Sequence, residues 1–404
     1  MKILILSHAA GNPEIGPNMR TFYLARHLAK LGHSVDIVGS GNFHKYKETP
    51  LKDKKYTQKT IEGIHYHWLP TFNYDKRNYQ QVLNQLSFVF QLYKFRDTCY
   101  KLNPDIVLVS SPHPFGIYIG NKIAKKINAK LIFEIRDLWP EIISELGGFK
   151  NTHPYMRMIN HAVKKAYKLS DGVVSVKPGD LNYIKQKYNV KGTTAYIPNG
   201  FDHIFVLDEY YTAPVFNEAG FKIIYTGALS SYYAMEYLLF AAEKLKNSHP
   251  DIKIIIVGDG ENKLDLEKIK EEKKLTNVTF LGHLPKKNML SVIRQADLAY
   301  LGLRYTKANQ FGISTNKLFE YMYAKKIVLA SYSTDYDLIK EAHFGYTVSP
   351  ECSEAIYDAI VKVYNLKSME RKELGENGYK YLLKHHTFEK IAADYIKFFK
   401  NILQ

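Results

Sequence analysis

Two hydrophobic patterns alternate along the 404 residues of the chain. Unbroken apolar runs stand at 2–7 (KILILS), 34–38, 105–110 (DIVLVS), 130–135 and 172–176. Runs of that length read as strands covered on both faces, as in a parallel sheet. Between them lie helix patterns: one over 19–31 closed by Gly32, and a long one over 74–101. Residues 64–68 alternate as a strand. The segment 44–60, with six lysines and few apolar groups, reads as an exposed loop. Strand, loop (8–18), helix and strand form a βαβ unit of nucleotide-binding type. The loop glycines are not spaced G-x-G-x-x-G, so a dinucleotide fingerprint is missing.

The pattern restarts after 220. Residues 201–220 read as a loose linker, and apolar runs at 222–226, 252–257, 278–281, 297–301 and 327–331 each precede a loop and a helix. Helices over 353–366, 369–385 and 388–403 finish the chain. The expected fold class is α/β, two Rossmann-like parallel-sheet domains over 1–200 and 201–385 followed by a helix over 386–404.

Candidate chemistry gathers at strand ends, where ligand loops of such sheets lie. The stretch 311–331, FGISTNKLFEYMYAKKIVLAS, runs from a loop (Gly312, Ser314, Thr315, Asn316) into a helix over 317–325 and then a strand. A helix start presents free N–H groups to an anion. Lys317 stands there, where the helix dipole alone favours an acid by about 0.3–1 kcal/mol; a bound diphosphate would reverse that sign. An ordinary junction with a solvated lysine is the other reading. Residues 136–141, RDLWPE, put Arg136, Asp137 and Trp139 at a strand end. A Trp ring packs on a pyranose face and the charges bond hydroxyls; an ion pair buttressing the loop is the alternative. His113 lies in SSPHPFG, another strand-end loop, where a structural turn role is equally open.

Charge changes the picture further. Residues 1–200 hold 29 Lys and Arg against 14 Asp and Glu, and 201–404 hold 27 against 26. A basic first half points to anionic lipid, nucleic acid or an acidic substrate, unless it is simply a solvated lysine-rich surface. The helix 74–101 mixes Tyr79, Phe88, Phe90, Tyr93 and Phe95 with Lys76, Arg77, Lys94, Arg96 and Lys101. Such a helix either lies in a bilayer interface or packs its aromatic face on the sheet. Two cysteines suggest neither a disulfide framework nor a metal site. No signal peptide and no membrane span is expected, which fits a cytoplasmic protein.

The form S-x-N-K-L-F-E-Y-M over 314–322, with RDLWPE and the segment FLG-x-L-P over 280–285, resembles family 4 glycosyltransferases. Within them it looks like a subgroup that builds bacterial surface polysaccharides. The resemblance spans essentially the whole chain. It implies the GT-B fold, its two domains facing across a cleft, the first binding acceptor and the second a nucleotide-sugar donor. Transfer would occur with retention and without metal or other cofactor. The loop and helix start (Ser314, Thr315, Asn316, Lys317) would hold the donor diphosphate, Glu320 the ribose, and Gly282, His283 and Leu284 the base. His113 would approach the transferred sugar. Gly16 and Arg20 are candidates for donor and acceptor contacts from the first loop, although Arg20 reads equally as a helix-surface cation. Trp139 would meet the acceptor, and Arg136, Asp137 and Lys317 would serve catalysis. The acceptor implied is a lipid-linked glycan at the inner face of the cell membrane.

Two departures stand out. Gly312 replaces a Glu usual in the family, which suggests a donor other than the common hexose, such as an N-acetylated or deoxy sugar on UDP. The loop after Gly227 reads ALSSYYAME, without the usual Arg and Lys, so compensation falls to Lys317 and the helix N-terminus, joined by Arg304 or Lys307, with Ser230 and Ser231 as donors. Asp335-Tyr336-Asp337 has the D-x-D form of a metal motif but sits where a helix start needs a cap. His385-His386 reads as a cation pair at a helix end. A GT-B-like epimerase would need paired carboxylates that the sequence does not place. A nucleic-acid-binding protein would need a stacking platform, which is not recognisable, so nucleic acid is not an expected partner.

Overall fold

The computed structural model describes residues 1–16, 18–74, 79–150, 152–203 and 208–404. The chain divides into two compact units, Met1–Asn199 with Phe388–Gln404, and Gly200–Thr387.

The first unit is built on an eight-stranded sheet. Its strands are β1 (Lys2–Leu6), β2 (Ser34–Ser40), β3 (Thr57–Ile61), β4 (Ile64–Leu69), β5 (Ile106–Ser110), β6 (Lys130–Ile135), β7 (Gly172–Ser175) and β8 (Thr193–Tyr196), in the order β3-β4-β2-β1-β5-β6-β7-β8. All pair in parallel except β3, which runs antiparallel to β4. The central strands are apolar on both faces and fully covered, as the unbroken runs require. The order reverses between β1 and β5, the point at which such sheets open a crevice at their carboxyl edge.

The exposed loop expected over 44–60 is corrected at its end. Residues Thr57–Ile61 form β3, an edge strand joined to β4 by Glu62 and Gly63, both at positive φ (48° and 80°). Two left-handed residues in a two-residue loop match the twist of a hairpin. Lysine content hid the strand because an edge strand with one wet face needs few apolar residues. The long helix spans Tyr79–Leu102. Lys76 and Arg77 lie outside the described residues.

The final helix, Phe388–Leu403, belongs to the first unit. Its Phe388, Ile391, Tyr395 and Phe399 enter one core with Phe22 and Leu28 of the helix Arg20–Lys30 and with Ile3, Ile5 and Ile37 of the sheet.

The second unit holds β9 (Phe221–Thr226), β10 (Ile252–Val257), β11 (Val278–Gly282), β12 (Leu298–Gly302), β13 (Ile327–Ser331) and β14 (Gly345–Val348). Their order is β11-β10-β9-β12-β13-β14, all parallel. The sheet thus has six strands where five were expected; β14 is a four-residue edge strand, half-buried and too short to stand out. The order reverses between β9 and β12. The stretch expected as a loose linker is docked: Glu209 N–H donates to Lys287 O at 2.8 Å, Tyr211 N–H to Ser291 Oγ at 2.9 Å, and Pro214–Asn217 forms a helical turn. Among the described residues no helix is long and apolar enough to cross a membrane.

Candidate active site

In the second unit the candidate residues collect at the β9/β12 switch point. The helix Asn316–Tyr323 is fixed there by Tyr321, whose hydroxyl accepts from Thr226 N–H of β9 at 3.1 Å and donates to Tyr300 O of β12 at 3.2 Å. Thr315 occupies the N-cap; its hydroxyl caps no N–H, while its carbonyl accepts from Leu318 N–H at 3.3 Å. Lys317 is buried at that end, and its ammonium lies 3.6 Å from the centroid of the Tyr233 ring and 5.5 Å from that of Tyr225. Among the described residues no carboxylate pairs with it. Ser314 Oγ is also buried and meets no hydrogen-bond partner in the chain. A cation with no carboxylate among the described residues and a buried hydroxyl without a partner, both at a helix N-terminus, constitute a site for an anion.

Glycines shape this corner. Gly227, at the end of β9, has φ +127°, and a Cβ on it would sit 2.3 Å from Lys317 Cε and 2.6 Å from Nζ. Gly312, where the resembling family has Glu, has φ +123°. A side chain is strained there, so the loop is built for the residue that replaced the Glu.

Other donor-site candidates are placed differently. Arg304 is not free to clamp a phosphate: it is held by Glu236 and, at 2.7 Å, by Glu351. Glu320 is ion-paired with the exposed Lys286, so its carboxylate is engaged. Leu284 is buried in the unit's core, which leaves its backbone for ligand contact, while His283 is exposed beside it after Gly282. Ser230 accepts from Tyr233 N–H at 3.0 Å through its carbonyl. Asp337 caps the turn Leu338–Glu341 by accepting from Ile339 and Lys340 N–H.

In the first unit the candidates lie at the carboxyl ends of β1, β5 and β6. His113 follows β5; it is buried, and neither ring nitrogen finds a partner. Its ring meets that of His8, which follows β1, edge to face at 4.6 Å. His8 Nε2 is hydrogen-bonded to Asn84 Oδ1 of the long helix. Burial, against the bond to Asn84 and helped by His44, lowers the His8 pKa to about 4, and burial with His8 alongside pulls His113 well below its ordinary value. Both rings are therefore neutral at pH 7.

Arg136 follows β6. Its N–H donates to Ser111 Oγ at 2.8 Å, and its Nη1 is buried without a partner. Asp137 is exposed and Trp139 is buried, only 9% exposed. Gly16 closes a turn onto Asn12 O at 2.9 Å, with φ +109°.

Arg20 is corrected. It is neither a surface cation nor free for an acceptor: its guanidinium bonds Glu134 at 2.8 Å, Pro198 O at 2.9 Å and Asn199 Oδ1 at 3.1 Å. Burial alone would raise the Glu134 carboxyl. Arg20 and Arg136, with hydrogen bonds from Ser110 and Tyr395, bring it below the usual value instead.

Comparison with known proteins fits this layout. Residues 16–204 match the model described as Glycosyltransferase Family 4, and 208–381 match Glycosyl transferases group 1. The chain belongs to the family 4 glycosyltransferases. No curated protein matches it significantly. Solved structures of the same fold include sucrose-phosphate synthase of Thermosynechococcus elongatus, with 17% identity over 99% of this chain and 98% of that one and a TM-score of 0.74. HepE of Anabaena in complex with UDP and glucose has 16% identity, coverage of 99% and 100%, and a TM-score of 0.67. The trehalose-6-phosphate structure from E. coli bound with UDP-2-fluoro glucose has 13% identity, coverage of 100% and 99%, and a TM-score of 0.71. These likenesses carry the GT-B fold.

Two residues of this glycosyltransferase's candidate site were missed by sequence reasoning. His8 follows the first strand, in a stretch (8–18) that reads in sequence as a plain polar loop. Tyr233 lies in the loop noted for lacking cations; the paired tyrosines there were the available signal.

Proposed function

We propose that this glycosyltransferase moves a sugar from a nucleoside diphosphate sugar to a glycan acceptor carried on a lipid, in the assembly of a surface polysaccharide. The observation that carries the donor half is Lys317: a buried residue at a helix N-terminus whose ammonium meets no carboxylate among the described residues, where a diphosphate can lie. UDP is the nucleoside diphosphate favoured, since structures of the same fold were solved with UDP or a UDP sugar. Glu320 would exchange Lys286 for the ribose hydroxyls. The strained position of Gly312 favours a sugar that does not need the Glu contact, such as an N-acetylated or deoxy sugar.

The reaction follows from these parts. The bond from the anomeric carbon to the phosphate oxygen breaks, and the acceptor oxygen bonds the same carbon from the same face. The acceptor's proton passes to the departing phosphate oxygen. Lys317 and the helix N–H groups offset the charge that develops on the diphosphate, and need no added metal to do so. His113, neutral and unpartnered, would bond a sugar hydroxyl, and Arg136 has a free N–H for the same use.

The membrane half of the reading rests on the first unit's surface. The long helix exposes Leu83, Leu86, Phe90 and Tyr93, with Lys94 over Phe90 and Arg96 and Lys122 over Tyr93. Beside it, Leu86, Val89, Phe115, Tyr118 and Met158 line an open groove of about 430 Å³. Apolar side chains rimmed by cations fit a bilayer surface with anionic headgroups, which would put the protein at the inner face of the cell membrane.

The test is calorimetric titration with UDP, GDP and ADP, followed by assay of UDP release from a panel of UDP sugars with a polyprenyl-linked acceptor. Selective binding of one nucleotide, weakened in Glu320→Ala, is expected. Binding of none, with no release from any donor, would contradict the reading.

A further inference from the structure

The loop between β9 and the helix Met235–Ser248 holds no cation, yet it contacts Lys317, the cation of the candidate anion site. Its tyrosines divide the work. Tyr232 anchors the loop: its carbonyl accepts from Arg304 N–H at 2.8 Å, and its hydroxyl donates to Asn309 Oδ1 at 2.9 Å. Arg304 is itself clamped between Glu236 and Glu351, so that it acts as a mount for the loop. Tyr233 is then left to face Lys317, with its ring centroid 3.6 Å from the ammonium. Tyr225 meets the same ring edge to face at 5.9 Å and limits its tilt.

We propose that Tyr233 is a positioning residue for Lys317. Its ring holds the ammonium where the donor's phosphate must lie, in place of the additional charge that this loop lacks. The inference rests on the reading of the second unit as a nucleoside diphosphate site.

The choice of a ring has a physical consequence. Lysine is a point charge on a flexible stem, and without a partner its head samples many positions. A carboxylate would fix it but would also neutralise it. The face of an aromatic ring attracts the cation through its quadrupole and leaves the full charge available to an incoming anion. Gly227 supplies the matching space on the other side, since any Cβ there would displace Lys317 Cε and Nζ. The tyrosine hydroxyl has no part in this, so phenylalanine should serve as well.

Two readouts test the proposal. The first needs no nucleotide. After reductive methylation with ¹³C-formaldehyde, the Lys317 dimethylammonium signal, assigned by its loss in Lys317→Met, should be shifted upfield by the ring current in the wild type and in Tyr233→Phe. It should return to the position of the other lysines in Tyr233→Leu. The second is UDP affinity by calorimetry: unchanged within a factor of about two in Tyr233→Phe, and about 5- to 30-fold weaker in Tyr233→Leu. In the Lys317→Met background, adding Tyr233→Leu should cost nothing further. An unshifted wild-type signal, equal UDP affinity in Tyr233→Leu, or a full loss in Tyr233→Phe would overturn the proposal. A persistent loss in the Lys317→Met background would also overturn it, since Tyr233 would then touch the nucleotide itself. A wild type that shows the shifted signal but binds no UDP would overturn the donor-site reading alone.

Discussion

Gly227 and Lys317 occupy one another's space: the side chain of the lysine runs through the volume that a Cβ on the glycine would fill, 2.3 Å from Cε and 2.6 Å from Nζ. The glycine ends β9 and the lysine opens a helix some 90 residues later, so the contact is made by the fold and not by local sequence. Gly227→Ala should therefore weaken UDP binding by about tenfold or more, through displacement of the ammonium and strain at φ +127°. Calorimetry on a folded variant checks it; unchanged affinity would mean that the ammonium is not held where the contact puts it.

The buried knot of Arg20, Glu134 and Tyr395 ties the final helix to the sheet of the first unit. Tyr395 Oη donates to Glu134 Oε1 at 2.5 Å, and Arg20 reaches the same carboxylate at 2.8 Å. Glu134→Ala leaves a buried guanidinium without its counter-charge and should cost about 3–5 kcal/mol. Tyr395→Phe removes the short hydrogen bond to Glu134 and the long one, 3.5 Å, from Arg20, and should cost about 1.5–3 kcal/mol. Urea unfolding followed by tryptophan emission would report both, as Trp68 and Trp139 lie in this unit.

Acid should loosen the first unit through its neutral histidines. His8 and His113 have folded pKa values below the unfolded one, His8 at about 4, so the unfolded chain takes up protons first as pH falls. Stability is full above about pH 6.5 and declines below it, by up to about 1.4 kcal/mol per pH unit for each histidine. Urea midpoints at pH 7.5, 6.0 and 5.0 should fall in that order, and less steeply in His8→Gln. A flat profile would show that neither ring is held neutral.

The ion pair of Lys286 and Glu320 joins an exposed lysine to a carboxylate proposed to meet the ribose. Lys286→Ala should change stability by less than about 1 kcal/mol and should not weaken UDP binding, because it removes a competitor for Glu320. Glu320→Ala should weaken it. Loss of affinity in Lys286→Ala would place the lysine, not the glutamate, among the nucleotide's contacts.

The strands were legible wherever both faces are covered, because only an unbroken apolar run satisfies two cores; 2–7, 105–110 and 252–257 are examples. The edge strands β3 and β14 were not, since one wet face dilutes the pattern. At the candidate site the residue types could be read, but their partners could not. Lys317 stands out in the sequence as a cation at a helix start, yet the lack of a carboxylate beside it is a tertiary fact. Arg304 and Arg20 look like free cations in sequence, and both are neutralised by acids 47 to 114 residues away in the chain. That distance in sequence is why charge alone could not sort ligand from brace.

The central claim is that Lys317 binds the diphosphate of a nucleotide-sugar donor. Its most direct measurement is titration of the wild type and Lys317→Ala with UDP under identical conditions, with both proteins shown to be folded by circular dichroism. The account predicts one-to-one binding by the wild type and at least about a tenfold loss in the variant. Equal binding by the two proteins would contradict it.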